Sequence, residues 1–242
     1  KGWALMGDAI SHGVLPGIVL AYVIGVPLIF GAFVSGLVCA TLSGFLSRNS
    51  RLKEDTLMGV VFSGMFGLGI VMYSKIETDI HLDHILFGNM LGIDVWDILL
   101  SGFISVVVVF IILFKRLDFL IHSFDPIYGQ VIGLRINLLH YGLLIMLSLT
   151  IVSALSAVGM ILSIGLLVIP GATAFLLTKQ FEKMLLIAFT ITTISGVAGV
   201  YTSFFVDSAP APTIILILAI FFVIAMVISK SKSGGWTNFR QS

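Results

Sequence analysis

Charge is scarce in this chain. Of 242 residues, 13 are Lys or Arg and 12 are Asp or Glu, so 10% are charged and the net charge is +1. A soluble domain carries about 25% charged residues, and the balance here, with no basic cluster, gives no footing for nucleic acid. Cysteine is nearly absent: Cys39 alone, in an apolar stretch, excludes a disulfide within the chain and reads as inert packing. No G-x-x-x-x-G-K-[ST] phosphate loop occurs, so ATP binding through that motif is excluded and any ATP must act on another polypeptide. Neither H-E-x-x-H nor G-x-S-x-G occurs, which removes the case for an intramembrane hydrolase. There is no cleavable signal peptide, and the chain opens on Lys1 rather than Met, from which a missing N-terminal piece is expected.

Apolar sequence is what the chain has in abundance: 58% of residues are hydrophobic and the mean hydropathy is +1.15. A bilayer crossing takes about 20 residues. Stretches near 3–24, 27–47, 57–75, 95–114, 137–158, 160–178, 184–206 and 213–229 meet that length. The fold class is therefore all-α, a polytopic transmembrane helical bundle forming a single domain over 1–242. The run from Asn137 to Thr178 is too long for one pass and should turn at Ser156-Ala157-Val158-Gly159, where glycine tolerates tight geometry. Pro16 and Pro170 should kink or locally unwind their helices, which suits helices beside a pathway.

Alternating the spans gathers every Lys and Arg except Lys75 on one side, at Lys1 and in the segments 48–56, 115–136, 179–183 and 230–242. The positive-inside rule makes that side, both ends and the 230–242 tail cytoplasmic. The opposite side carries Glu77, Asp79, Asp83, Asp94, Asp97 and Asp207, a field that favours arriving cations. Small residues recur every fourth position at Ala32, Gly36, Ala40 and Gly44, and again at Gly59, Ser63 and Gly67, as in close transmembrane helix packing.

Three polar constellations stand out. Asp8 and His12 lie four residues apart, on one face of the opening span. At 1.5 Å per residue from Trp3, Asp8 is about 8 Å and His12 about 14 Å along the helix, near mid-membrane. Ionisable groups at that depth default to an ion or proton path, and oxygen beside nitrogen suits a first-row divalent metal. The competing reading is that both are satisfied structurally by neighbouring helices. The second constellation is Asp79, His81, Asp83 and His84 in the outward loop, either a vestibule that collects divalent ions or a solvated loop with Asp83 as a helix cap. The third is Asp125-Pro126-Ile127-Tyr128-Gly129-Gln130-Val131-Ile132-Gly133 on the cytoplasmic side. Asp125 is a good N-cap, Pro126 suits the first helical position and Gly133 a C-terminal cap. The resulting two-turn helix either docks into a cytoplasmic partner or lies on the lipid surface.

The stretch Gly7-Asp8-Ala9-Ile10-Ser11-His12, continuing to Leu15-Pro16-Gly17, resembles the opening motif of permease subunits in bacterial manganese, iron and zinc ABC importers. Leu86-Phe87-Gly88-Asn89, the Asp125, Gly129, Gly133 spacing and Gly165-Leu166-Leu167-Val168-Ile169-Pro170-Gly171-Ala172-Thr173-Ala174 resemble its later landmarks, so the likeness runs from Leu5 to about Ser229. It is nearest the Yfe/Sit type of manganese/iron permease. Gly13 departs from the pattern, where Ala or Ser is expected. The resemblance implies about eight spans here with a family N-terminal helix missing, and a place in the inner membrane of a Gram-negative bacterium. It implies no permanently bound cofactor; Mn2+ or Fe2+, or Zn2+, is the cargo and ATP binds a partner ATPase. A periplasmic metal-binding protein and a second permease subunit, identical or related, complete the set. Asp8 and His12 match the translocation pair, and segment 117–136, with Asp125, Pro126, Gly129 and Gly133, matches the ATPase-coupling segment. The alternatives are an ATP-independent secondary carrier, a zinc-specific ABC permease and a non-transporting membrane scaffold.

Overall fold

Lipid offers a backbone no hydrogen-bond partners, so an apolar chain of this kind satisfies its amides internally as helices. In the computed structural model, which describes residues 4–76 and 95–232, every regular element is helical. We number them α1 (Ala4–Gly13), α2 (Leu15–Ile24), α3 (Leu28–Asn49), α4 (Glu54–Tyr73), α5 (Val95–Phe124), α6 (Pro126–Val131), α7 (Ile136–Leu177), α8 (Phe181–Val206) and α9 (Pro210–Lys232). Eight stretches among them are long and apolar enough to cross a membrane, α1 and α2 together forming the first and α7 supplying two. The expected break in α7 falls at Gly159, whose φ of 73° is open to glycine at little cost. Pro170 lies further along the same helix with its backbone still helical, so the local unwinding expected there does not occur.

The polypeptide gathers into two units, Lys1–Met160 and Ile161–Ser242. In the first, α1–α2 is the most buried of the eight spans. Met6, Ala9 and Ile10 of α1 pack with Cys39 and Ala40 of α3, Met58 and Val61 of α4, and Leu144 and Ile151 of α7. Val14 and Ile18 continue the core against Ala32, Val152, Leu155 and Met160. Close approach is made by glycine: a Cβ on Gly17 or on Gly31 would run into the other's backbone carbonyl, so α2 and α3 touch main chain to main chain. The row Ala32, Gly36, Ala40 and Gly44 is buried as expected. Gly36 faces Ser148, and a Cβ on Gly44 would meet His140 Nε2 at 3.4 Å. The second row is a correction. Ser63 and Gly67 are exposed, and no atom would meet a Cβ on Gly59 or Gly67; α4 uses Gly69 instead, against Leu15.

A further correction concerns 115–124. The helical geometry breaks at Lys115, with φ of −106° and ψ of 16°, but the chain resumes as helix to Phe124 rather than loop. Charge ends a span without ending a helix: Lys115 Nζ and Asp118 Oδ2 pair at 3.0 Å across the restart. In the second unit α8 and α9 pack through Gly199, where a Cβ would meet Ile214, and through buried Ser195, Ser203, Ala211 and Leu218.

Candidate metal path at the opening helix

Pro16 sets the local geometry. It has no N–H to return to the His12 carbonyl, and Gly17 N–H reaches back only to Val14 at 3.0 Å, leaving Val14 a turn between α1 and α2. The Gly13 carbonyl so released is taken by Ser35 Oγ of α3, which donates to it at 2.6 Å. One turn earlier Cys39 Sγ donates to the Ala9 carbonyl at 3.2 Å. A buried carbonyl without a donor costs about 1–3 kcal/mol, so the α3 hydroxyl and thiol hold the break in place. Gly13 matters here too: a Cβ on it would stand 2.6 Å from Cys39 Sγ and 2.7 Å from its Cβ. Glycine stands at this departure from the resemblance because Cys39 fills the space.

Asp8 and His12 meet on this helix. His12 Nδ1 lies 3.1 Å from Asp8 Oδ1 and 3.0 Å from the Asp8 backbone carbonyl. A carbonyl only accepts, so Nδ1 carries the proton in the neutral ring and Nε2 presents a lone pair. The ring is braced by Phe62 (centroids 5.4 Å apart) and edge-on by Phe66 (5.3 Å), both from α4. The two side chains are 28% and 27% exposed, so the pair is sheltered yet reachable. A carboxylate that orients a histidine by its N–H while the other nitrogen faces outward is a standard metal-site arrangement. Among the described residues no group of three or more His, Cys, Asp or Glu comes together. Any ion at this pair would need further ligands from beyond these groups. The supporting Ser35 and Cys39 were missed in the sequence; their i, i+4 spacing beside the small-residue row is the signal that points to them.

The segment from Asp125 to Leu134 has the expected local form. Asp125 Oδ1 accepts from Tyr128 N–H at 2.9 Å and Pro126 occupies the first helical turn of α6. Leu134 N–H closes on the Gly129 carbonyl at 2.9 Å and Gly133 N–H on Gln130 at 3.1 Å, with Gly133 at φ 84°. Gly129 is buried, seated against Ile136 and Ile121, whereas Ile127, Tyr128, Val131 and Ile132 of the opposite side are all exposed. Asp79, His81, Asp83, His84 and the Leu86–Asn89 landmark lie outside the described residues.

The ABC 3 transport family profile matches residues 1–229. The chain belongs to this family. Over 232 residues it is 52% identical to the chelated iron transport system membrane protein YfeD of Yersinia pestis, covering 96% of the chain and 78% of that protein. It is 44% identical to the manganese transport system membrane protein MntB of Synechocystis, covering 94% and 74%. Among solved structures, PsaBC from Streptococcus pneumoniae in complex with Fab superposes with a TM-score of 0.85 at 33% identity, over 97% of this chain and 84% of that one.

Proposed function

We propose that this family member is the membrane-spanning permease subunit of an ATP-driven importer, with manganese or iron as the divalent cargo passing Asp8 and His12. The observation that carries the reading is the Nδ1–Asp8 pairing within the most buried span, which leaves Nε2 to meet an ion. Relatives named for iron and manganese transport supply the cargo class. Nε2 is the first protein ligand; the free Asp8 oxygen and the negative charge hold the ion beside it. Two protein ligands bind loosely, which suits an ion that must leave again. The two units act as one permease domain, in the inner membrane with both ends cytoplasmic. The chain itself carries no hydrolytic site; a cytoplasmic ATPase docks on the exposed apolar face of α6, with Asp125, Pro126, Gly129 and Gly133 shaping that helix. A periplasmic binding protein delivers the metal and a second permease subunit completes the path. Asp79, His81, Asp83 and His84 form the outer vestibule that gathers it.

The test is uptake of labelled manganese, with iron and zinc as competitors, in cells lacking their own manganese importers. Full-length protein with its ATPase and binding-protein partners is compared as wild type, Asp8→Ala and His12→Ala at equal membrane levels. Uptake by wild type alone supports the path; equal uptake by all three removes the pair from it. Uptake that persists without the ATPase and collapses with the proton gradient replaces the ABC reading by a secondary carrier.

A further inference from the structure

We propose that His122 and His140 form a second divalent-cation station, at the junction of α5 with α7, which the ion meets after leaving Asp8 and His12. The inference rests on the metal-permease reading and adds a site to it. The two imidazoles come from elements 18 positions apart in sequence, yet their ring centroids are 5.8 Å apart with planes at 75°. With metal–nitrogen bonds of about 2.1 Å an ion sits about 3.2 Å from each ring centroid. Two rings sharing one ion at a tetrahedral angle then have centroids about 5.3 Å apart, and 5.8 Å needs an angle of about 125°. The observed separation is one that a shared ion accepts with little movement.

The surroundings favour a site over simple packing. His122 is 8% exposed, and its Nδ1 and the Nε2 of His140 are sealed from solvent. Gly44 of α3 keeps the approach to Nε2 clear, since any side chain there would begin 3.4 Å from that nitrogen. The same helix links the two stations: Ser35 holds the carbonyl next to His12, and Gly44, nine residues on, faces His140. At 1.5 Å per residue that is about 13 Å, toward the end bearing Arg51 and Lys53. With two protein ligands and the rest water, the station releases its ion readily.

Its place also gives it a consequence. His122 lies three residues before Asp125, the cap of α6, so an ion shared with His140 ties the arm that carries α6 to α7. Loading of the exit is thereby felt at the docking helix.

The test uses the full-length permease in lipid nanodiscs, purified without a histidine tag. His12→Ala, His81→Ala and His84→Ala leave His122 and His140 as the remaining two of the five histidines in this sequence, and any histidine outside it is replaced too. Mn2+ alone is added, and pulsed electron paramagnetic resonance reads imidazole nitrogen coupled to the ion. Nitrogen modulation is expected, falling to background and with at least tenfold weaker Mn2+ binding when His122→Gln and His140→Gln are added. No modulation in the variant that lacks those three histidines overturns the proposal without any substitution at the site itself. Modulation that survives the added pair overturns it too. Should the five-fold variant misassemble, His140→Gln alone must halve the coupled nitrogen. The spectrum decides this site whether or not wild-type cells take up manganese, which separately decides the permease reading.

Discussion

Gly133 offers a way to loosen α6 without touching the bundle. An isolated helix of six residues is unstable in water, so α6 depends on three supports: the Asp125 cap, the closure through Gly133, and the seating of Gly129 on Ile136 and Ile121. The cap contributes about 1 kcal/mol. Gly133 holds φ at 84°, a region that costs a residue with a Cβ about 1–2 kcal/mol. Gly133→Ala therefore cancels a support of the same size as the cap and shifts the folded fraction of α6 by about 5–30-fold. Asn tolerates the left-handed region, so Gly133→Asn should stay near wild type. At Gly129, a Cβ would stand 2.6 Å from Ile136 Cδ1, the movable end of a side chain. Gly129→Ala should thus be mild and Gly129→Leu severe. The assay is proteoliposomes containing permease and ATPase, with manganese uptake and phosphate release measured together. Gly133→Ala and Gly129→Leu should lower uptake per ATP several-fold while the thermal midpoint of the bundle is unchanged. Wild-type coupling in Gly133→Ala, or equal loss in Ala and Asn variants, refutes the reasoning.

Other outcomes can be checked at the bench. Gly13→Ala should destabilise by about 1–3 kcal/mol through overpacking against Cys39, seen as a lower thermal midpoint in detergent. Cys39→Gly should restore it and Cys39→Ser should not, and strict additivity of Gly13→Ala and Cys39→Gly would sink the contact. Ser35→Ala strands the buried Gly13 carbonyl and should cost about 1–3 kcal/mol; a smaller loss would mean that another donor reaches it. Single cysteines at Arg51 and Lys179 should label with an impermeant maleimide only from the cytoplasmic side, and one at Asp207 only from outside. Buried Cys39 keeps the parent silent, and the reverse pattern would invert the topology.

Features governed by local rules were legible in the sequence. Span lengths follow from bilayer thickness, the break at Gly159 from glycine's backbone freedom, and the Asp125 cap from side-chain reach. What escaped was set by contacts distant in sequence. The charges at Lys115, Arg116 and Asp118 coincide with a break in the helix, but charge does not say that helix resumes and continues to Phe124. Gly59, Ser63 and Gly67 have the spacing of a packing face, yet spacing does not say whether another helix lies against it. Asp8 and His12 could be paired from their four-residue spacing. Which nitrogen of His12 faces outward could not, because the Asp8 carbonyl as well as its carboxylate decides it. The neighbours Phe62, Phe66, Ser35 and Cys39 belong to other helices and leave no trace in the opening motif.

The helix break and the titratable pair are one device. Pro16 and the turn at Val14 leave the Gly13 carbonyl without its helical partner, and α3 supplies one through Ser35. On the proposed path, imidazole beside carboxylate would give a mixed nitrogen and oxygen donor set in which hard manganese is not disfavoured as it would be among thiolates. Cys39, the one residue that would favour softer or more competitive metals, is turned away from that set and spent on the Ala9 carbonyl. Its bulk also forces glycine at position 13, so the same side chain that is withheld from the ion fixes the approach of α3 to the break. If the ion passes Asp8 and His12 as proposed, the placing of this thiol on the Ala9 carbonyl keeps a soft ligand off the path.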